Sequence, residues 1–133
     1  MATMLLEQRV KERRADRRVS LENFLVSVQR CSWPLWIATG PSYSARGVDL
    51  SFGGIAFKGR EHFRPGEHVT VTIFPKGGGR LTAEGLRLHG RVMWSEARRG
   101  GNRETVGIRF AGARKTIRTR VAAWTARLKH LLR

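Results

Sequence analysis

Apolar and polar residues alternate through the middle of the chain, and this pattern predicts β-strands. Between Leu21 and Val28, the side chains of Phe24, Val26 and Val28 fall on one face, as expected for a half-buried strand. Strand signals recur in five further segments: Ala45–Leu50, Gly54–Lys58, Glu67–Phe74, Leu81–Ser95 and Glu104–Phe110. Turn-forming residues separate several of them, at Pro65-Gly66, Gly77-Gly78-Gly79 and Arg99-Gly100-Gly101-Asn102. Six strands at this spacing predict a mainly β fold, a small antiparallel barrel that removes sheet edges by closure.

The period of the pattern changes near the C-terminus. One apolar stripe steps by three or four residues, through Ile117, Val121, Trp124, Leu128 and Leu131. We therefore expect a basic amphipathic helix over residues 113–133, packed on the barrel, and a partner-binding or dimerising helix is the alternative. Residues 1–11 have weak helical character and are predicted to form an arm or a short helix. The barrel domain is then expected to span residues 12–112.

The segment Trp33-Pro34-Leu35-Trp36-Ile37 is aromatic but breaks the strand pattern. Proline cannot donate a hydrogen bond within a central strand, so this segment is predicted to be a strand end with a bulge, or a lid.

Composition bounds the class of protein. A chain of 133 residues is long enough for one domain with a modest core. Its formal net charge is +16, and residues 112–133 carry seven basic and no acidic residues. So basic a chain favours anionic partners, and the C-terminal helix makes nucleic acid a possible one.

The cysteine count and the N-terminal residues indicate the compartment in which the protein is expected. Cys31 is the single cysteine, so no intramolecular disulfide can form and a reducing compartment is expected. The apolar run at Leu5-Leu6 is far too short for a signal-peptide core or a membrane span. We expect a cytoplasmic protein with no membrane insertion.

Catalytic patterns are not evident in the sequence. The four histidines, His62, His68, His89 and His130, lack metal-ligand spacing, and one cysteine cannot build a zinc site. The chain has no Gly-x-Ser-x-Gly motif and no phosphate loop followed by a helix start. We expect neither enzyme activity, nor a metal, nor a cofactor.

Two short motifs carry binding chemistry. The first is an arginine cluster, Arg13-Arg14 and Arg17-Arg18, whose planar guanidinium groups can bind phosphate oxygens and the O6/N7 edge of guanine. The second, Asp49-Leu50-Ser51-Phe52-Gly53-Gly54, offers a carboxylate, a hydroxyl and backbone without Cβ atoms. Each motif alone is common in solvated segments or turns.

The order and separation of these motifs resemble the PilZ family. The family's Arg-Arg-x-x-x-Arg segment corresponds to Arg13, Arg14 and Arg18, and its (Asp/Asn)-x-Ser-x-x-Gly turn to Asp49, Ser51 and Gly54. Three later segments also fit the family: Arg64–Ile73, with its Pro-Gly turn; His89–Trp94, a strand ending in Trp; and Val106–Phe110. The resemblance runs from about residue 12 to residue 112.

The resemblance implies a cyclic di-GMP ligand and a role for each motif. Arg14 and Arg18 would clamp the ligand, with Arg13 next in rank. On the opposite wall, Asp49 would accept the guanine N1/N2 donors and Ser51 would add its hydroxyl. The pair Gly53 and Gly54 would leave room for a base. Trp94 is expected in the core rather than in the site.

The function that the resemblance implies is that of a bacterial second-messenger receptor or adaptor. Its surface would change when the ligand orders the basic N-terminal segment, which charge repulsion is predicted to keep mobile, and a downstream protein would respond. The alternative is a basic β-barrel that binds nucleic acid. A degenerate PilZ domain that binds only a protein is a third possibility, disfavoured by the intact motifs. Ligand stoichiometry and oligomeric state stay open.

Overall fold

The described part of the chain folds into one antiparallel sheet and one helix. The computed structural model describes residues 19–21, 24–75, 85–97 and 103–131. Its elements are β1 (Val19–Ser20), β2 (Phe24–Ser32), β3 (Ile37–Leu50), β4 (Gly54–Gly59), β5 (His68–Pro75), β6 (Leu86–Ala97), β7 (Glu104–Phe110) and α1 (Arg114–Leu131).

Six of the strands close into a ring. The order runs β3-β2-β5-β6-β7-β4, and β4 then pairs with β3, so each of these strands has two antiparallel neighbours. The two-residue β1 pairs with β3 as an addition to the ring. The predicted mainly β fold with a six-stranded antiparallel barrel is confirmed.

Strand alternation fills the barrel interior. Val26 and Val28 of β2 point inward, as their spacing predicts, and are at most 1% exposed. The same alternation on β4 and β7 buries Phe57 and Val106 completely. The interior is therefore an aliphatic core with aromatic rings, and the other face of each strand is free for polar chemistry.

The helix α1 packs its apolar stripe against the barrel. Ile117, Val121 and Trp124 are buried, and the Trp124 ring lies 5.6 Å from the ring of Phe24, between centroids. The predicted C-terminal helix is thus confirmed as a packed element. No helix in the described part of the chain is long and apolar enough to cross a membrane.

The aromatic segment after β2 forms a turn. A bulge lies between Gln29 and Cys31, β2 ends at Ser32, and residues 33–36 lead directly into β3. Trp36 has a φ of 55° and stacks on His89, with 4.8 Å between the ring centroids. The strand-end interpretation therefore holds, and β3 begins at Ile37 rather than at the predicted Ala45 because residues 37–44 continue the hairpin.

Three predicted features lie outside the described residues. They are the N-terminal arm with its arginine cluster, the Gly77–Gly79 turn and the Arg99–Asn102 turn. The Pro65-Gly66 turn is described, and Gly66 adopts the left-handed conformation (φ 97°) that such a turn demands.

Candidate functional site

A bulge in β3 turns Asp49 toward the outer face of the barrel. Ala45 and Gly47 are buried inner-face positions, so strict alternation would also point Asp49 inward. The register shifts between Gly47 and Asp49, which makes Val48 the extra residue. Bulges of this kind redirect side chains beside binding sites.

A second bulge does the same for Trp94 in β6. Leu88 and Val92 are buried, and alternation alone would place Trp94 beside them in the core. The register shifts between Val92 and Trp94, with Met93 as the extra residue. Trp94 is 44% exposed. The expectation that Trp94 belongs to the core was wrong, because the bulge reverses its face.

The two redirected side chains lie on one row across four strands. Trp94 pairs with Gly107, Gly107 with Ala56, and Ala56 with Asp49. At about 4.8 Å per strand, the two ends of the row are about 14 Å apart. The small residues between them form the floor of a groove of about 340 Å³ that both end residues line. The groove is large enough for a small ligand.

Gly107 sets the position of the Trp94 indole. A Cβ atom at residue 107 would lie 2.2 Å from Cε2 and Nε1 of Trp94, so the ring rests directly on the glycine backbone. The ring thereby forms one wall of the groove, and its partial exposure leaves part of it accessible to a planar ligand.

The turn that contains the Asp-x-Ser motif is held by backbone hydrogen bonds. The Ser51 amide donates to the Gly54 carbonyl over 2.9 Å, and the Ser51 hydroxyl donates to the same oxygen over 3.4 Å. The Phe110 amide donates to the Gly53 carbonyl over 2.9 Å. The turn is thus tied to the end of β7, and the longer hydroxyl contact is the easier one to exchange for a ligand.

The two glycines of this motif have different roles. A Cβ atom at Gly53 would meet nothing within 4 Å, so this position leaves open space beside the groove. A Cβ atom at Gly54 would lie 2.1 Å from the Ile108 carbonyl oxygen, so glycine is needed there for the approach of β4 to β7. Among the described glycines, positive φ values occur at Gly66 and Gly112 but not at this pair.

Arg109 is a groove residue that the sequence predictions missed. It is exposed, it lines the groove, and it pairs with Gly54 across β4 and β7. Alternation was the available signal, because Thr105, Gly107 and Arg109 share the outer face of β7. Its guanidinium group adds a cation to the groove that holds the Asp49 carboxylate.

The arginine residues of the first motif, Arg13, Arg14 and Arg18, lie outside the described residues. The adjoining β1 is described, and it pairs Val19 with Leu50 and Ser20 with Asp49. The chain that follows the arginine cluster in sequence therefore runs alongside the Asp49 motif.

The turn also contacts the helix. Phe52 packs against the core, and the Arg118 guanidinium carbon of α1 lies 5.0 Å from the centroid of its ring. This geometry is that of a cation–π contact. The groove-forming turn is therefore held between the barrel and α1.

A separate polar cluster lies on β5 and β6, away from the groove lining. The Thr70 hydroxyl is hydrogen-bonded to Nδ1 of His89 (2.9 Å), and the His89 ring stacks on Trp36. Burial lowers the pKa of His89 below its ordinary value, and repulsion from Arg87 and Arg120 lowers it further. Within the described residues, no three histidine, cysteine or acidic side chains are grouped to hold a metal ion.

The fold is a small antiparallel β-barrel with a groove on its outer face. The PilZ domain family model matches residues 12–127, which is most of the sequence, and the chain belongs to the PilZ domain family.

Two solved structures are similar to this fold. The motility inhibitor MotI/DgrA of Bacillus subtilis matches with a TM-score of 0.54 at 14% sequence identity, over 85% of this chain and 50% of its own. The PlzA protein of Borreliella burgdorferi, solved in complex with c-di-GMP, matches with a TM-score of 0.49 at 8% identity, over 94% of this chain and 58% of its own. The chain thus spans 50% of the length of the first protein and 58% of the second. No curated protein matches the sequence significantly.

Proposed function

We propose that this chain is a receptor for cyclic di-GMP and that the groove between Asp49 and Trp94 is part of its binding site. The observation that carries the proposal is the row Asp49–Ala56–Gly107–Trp94, because two separate bulges turn a carboxylate and an indole onto one face. Membership in the PilZ family supports the choice of ligand, since cyclic di-GMP is what the resemblance implies.

The groove chemistry suits a guanine base. The Asp49 carboxylate can accept hydrogen bonds from guanine N1 and N2, which adenine cannot supply in the same arrangement. The Trp94 indole offers a stacking surface, and such base–aromatic contacts contribute about 1–3 kcal/mol per base. Gly53 leaves space at the other side for the base to approach.

The phosphates need cations, and the groove has one described candidate. Arg109 can bind a phosphate oxygen or the O6/N7 edge of guanine through its planar guanidinium group. We assign the remaining contacts to Arg14 and Arg18, with Arg13 next, as the family motif implies. Support comes from β1, which brings the chain that follows this motif beside Asp49.

The output of binding is proposed to be a changed surface rather than a reaction. The ligand would bring the arginine segment and the turn at residues 51–54 together, and a downstream protein would recognise the combined surface. Two phosphates partly neutralise the basic segment, which supplies the differential contact that a ligand-driven switch requires. The proposed protein is a receptor or adaptor in second-messenger signalling and not an enzyme.

Isothermal titration calorimetry with cyclic di-GMP, cyclic di-AMP and GTP tests the proposal. Cyclic di-GMP should bind at least 10-fold more tightly than cyclic di-AMP, because each lost bidentate base contact costs about 1–3 kcal/mol. The same titration gives the stoichiometry, one ligand or a stacked pair. Equal affinity for the two cyclic dinucleotides, or binding of neither, would contradict the proposal.

A further inference from the structure

A second groove lies on the outer face of the barrel, and its charged lining is entirely basic. It has a volume of about 320 Å³ and shares no lining residue with the Asp49–Trp94 groove. Four of its eight lining residues are cationic: Arg46, Lys58, Arg60 and Arg103.

Two of these cations are forced together by the sheet. Arg46 of β3 and Lys58 of β4 are directly paired in the register. Like charges placed opposite each other destabilise a sheet, so the pairing is unfavourable for the barrel alone. An anion bound between the two side chains would turn the repulsion into attraction.

The described acidic side chains do not balance this cluster. Glu61 and Glu67 are bound to Arg30, and Glu104 is bound to His62 over 2.7 Å. On the row of strands that contains Lys58, the described acid is Glu96, two strands away at about 10 Å. Within the described ranges, none of the four groove cations forms an ion pair.

The basic groove is separate from the first groove but lies on the same face. Lys58 follows Ala56 by two residues on β4, which is about 7 Å along the strand. An anion held at Arg46 and Lys58 would therefore lie beside the first groove without entering it.

The lining of this groove favours a polymeric anion over a small ligand. Small ligands are usually enclosed by apolar walls, whereas the apolar lining here consists of Leu25 and Ala45. Arg46, Arg60 and Arg103 are exposed, so a small anion would stay largely solvated. A chain of regularly spaced phosphates could contact several of these cations at once, and the net charge of +16 would attract it from a distance.

We propose that this basic groove binds the phosphate backbone of a nucleic-acid strand, independently of sequence. The inference concerns a second site and does not rest on the proposed cyclic di-GMP receptor. It also differs from binding through α1, because the groove is lined by residues of β2, β3 and β4 and by the residues that follow β4 and precede β7, with none from α1.

Fluorescence anisotropy with a labelled 20-nucleotide oligothymidine tests the proposal with two matched variants of the full chain. The groove variant is Arg46→Gln/Lys58→Gln, and the control is Arg114→Gln/Lys115→Gln on the exposed first turn of α1. Each pair removes one arginine and one lysine, so the loss of net charge is identical. Circular dichroism melting of both variants verifies that they fold.

The groove variant should lower the affinity about 25-fold at 0.1 M salt and reduce the slope of log K against log salt by about 1.4, because each single-strand phosphate contact contributes about 0.7. The control should stay within about 2-fold of the wild type. Equal losses for both pairs would show that net charge alone sets the affinity and would overturn the proposal. Tighter binding of a labelled 20-residue polyglutamate peptide than of the oligonucleotide would overturn it in favour of an acidic protein partner.

Discussion

Asp49 and Trp94 lie at opposite ends of one row of the barrel, with the small residues Ala56 and Gly107 between them. Each reaches the outer face because one extra residue, Val48 or Met93, interrupts the alternation of its strand. The groove therefore depends on two local backbone features in different strands. This relationship makes the proposed site testable residue by residue.

Replacing Trp94 should weaken ligand binding without unfolding the barrel. Trp94→Ala removes the proposed stacking wall and should cost about 1–3 kcal/mol of cyclic di-GMP affinity. The control is Trp33→Ala, which removes a tryptophan that is 65% exposed and does not line the groove. Calorimetry on both variants checks this prediction. Equal loss of affinity in the two variants would remove Trp94 from the site.

Replacing Asp49 by alanine should abolish selectivity for guanine. Alanine removes both carboxylate oxygens, so the paired N1/N2 contact is lost. We expect the affinity for cyclic di-GMP, measured by calorimetric titration, to fall at least 10-fold. The free energy of unfolding should change by no more than about 1 kcal/mol, the scale of a lost turn or cap contact. Intact binding with a large loss of stability would identify Asp49 as a structural residue.

The adjacent glycines should respond oppositely to alanine. Gly54→Ala places a Cβ atom against the Ile108 carbonyl and should destabilise the fold by about 1–3 kcal/mol, as overpacking does. Gly53→Ala meets open space, so stability should change by less than about 0.5 kcal/mol, and affinity should fall if a base approaches there. Chemical denaturation and calorimetry separate the two effects. Equal destabilisation of both variants would contradict the assignment.

The stability of the protein should decrease as the pH falls below the ordinary histidine range. The pKa of His89 lies below 6.5 in the folded chain, so the unfolded state takes up the proton first as the pH falls. The contribution of neutral His89 to stability is therefore complete above pH 6.5 and is lost as the pH falls through the folded pKa. His89→Gln should give a shallower decline than the wild type in denaturation measured from pH 7.5 to 5.5. Parallel declines would show that His89 is not responsible.

Much of the fold could be predicted from the sequence because its signal is periodic. Val26 and Val28 alternate as a strand requires, and Ile117, Val121 and Trp124 repeat as a helix requires, and the structure buries all five. The part of the site that the sequence did not predict, the exposed Trp94, has a physical explanation. A bulge changes which face a residue occupies without changing the composition, so the sequence did not reveal that Trp94, expected in the core, lies on the outer face.

The glycines show a similar limit of prediction. The sequence alone does not show why glycine is needed at positions 54 and 107. The atoms that pack against them, the Ile108 carbonyl and the Trp94 ring, belong to other strands. The alternation that predicts β7 also places Arg109 on the outer face of that strand. An arginine on an outer face is common, however, and does not mark a site by itself. The register with Gly54 makes it a groove residue.

The central claim is that cyclic di-GMP occupies the groove between Asp49 and Trp94. It is tested most directly by the indole N–H signals of the four tryptophans in a ¹⁵N–¹H correlation spectrum during titration with the ligand. The Trp94 signal should shift progressively to saturation, whereas Trp124, buried between α1 and the barrel, and Trp33 and Trp36, on the turn between β2 and β3, should move little. An unchanged Trp94 signal at saturating ligand, with shifts at Trp33 or Trp36 instead, would contradict the account.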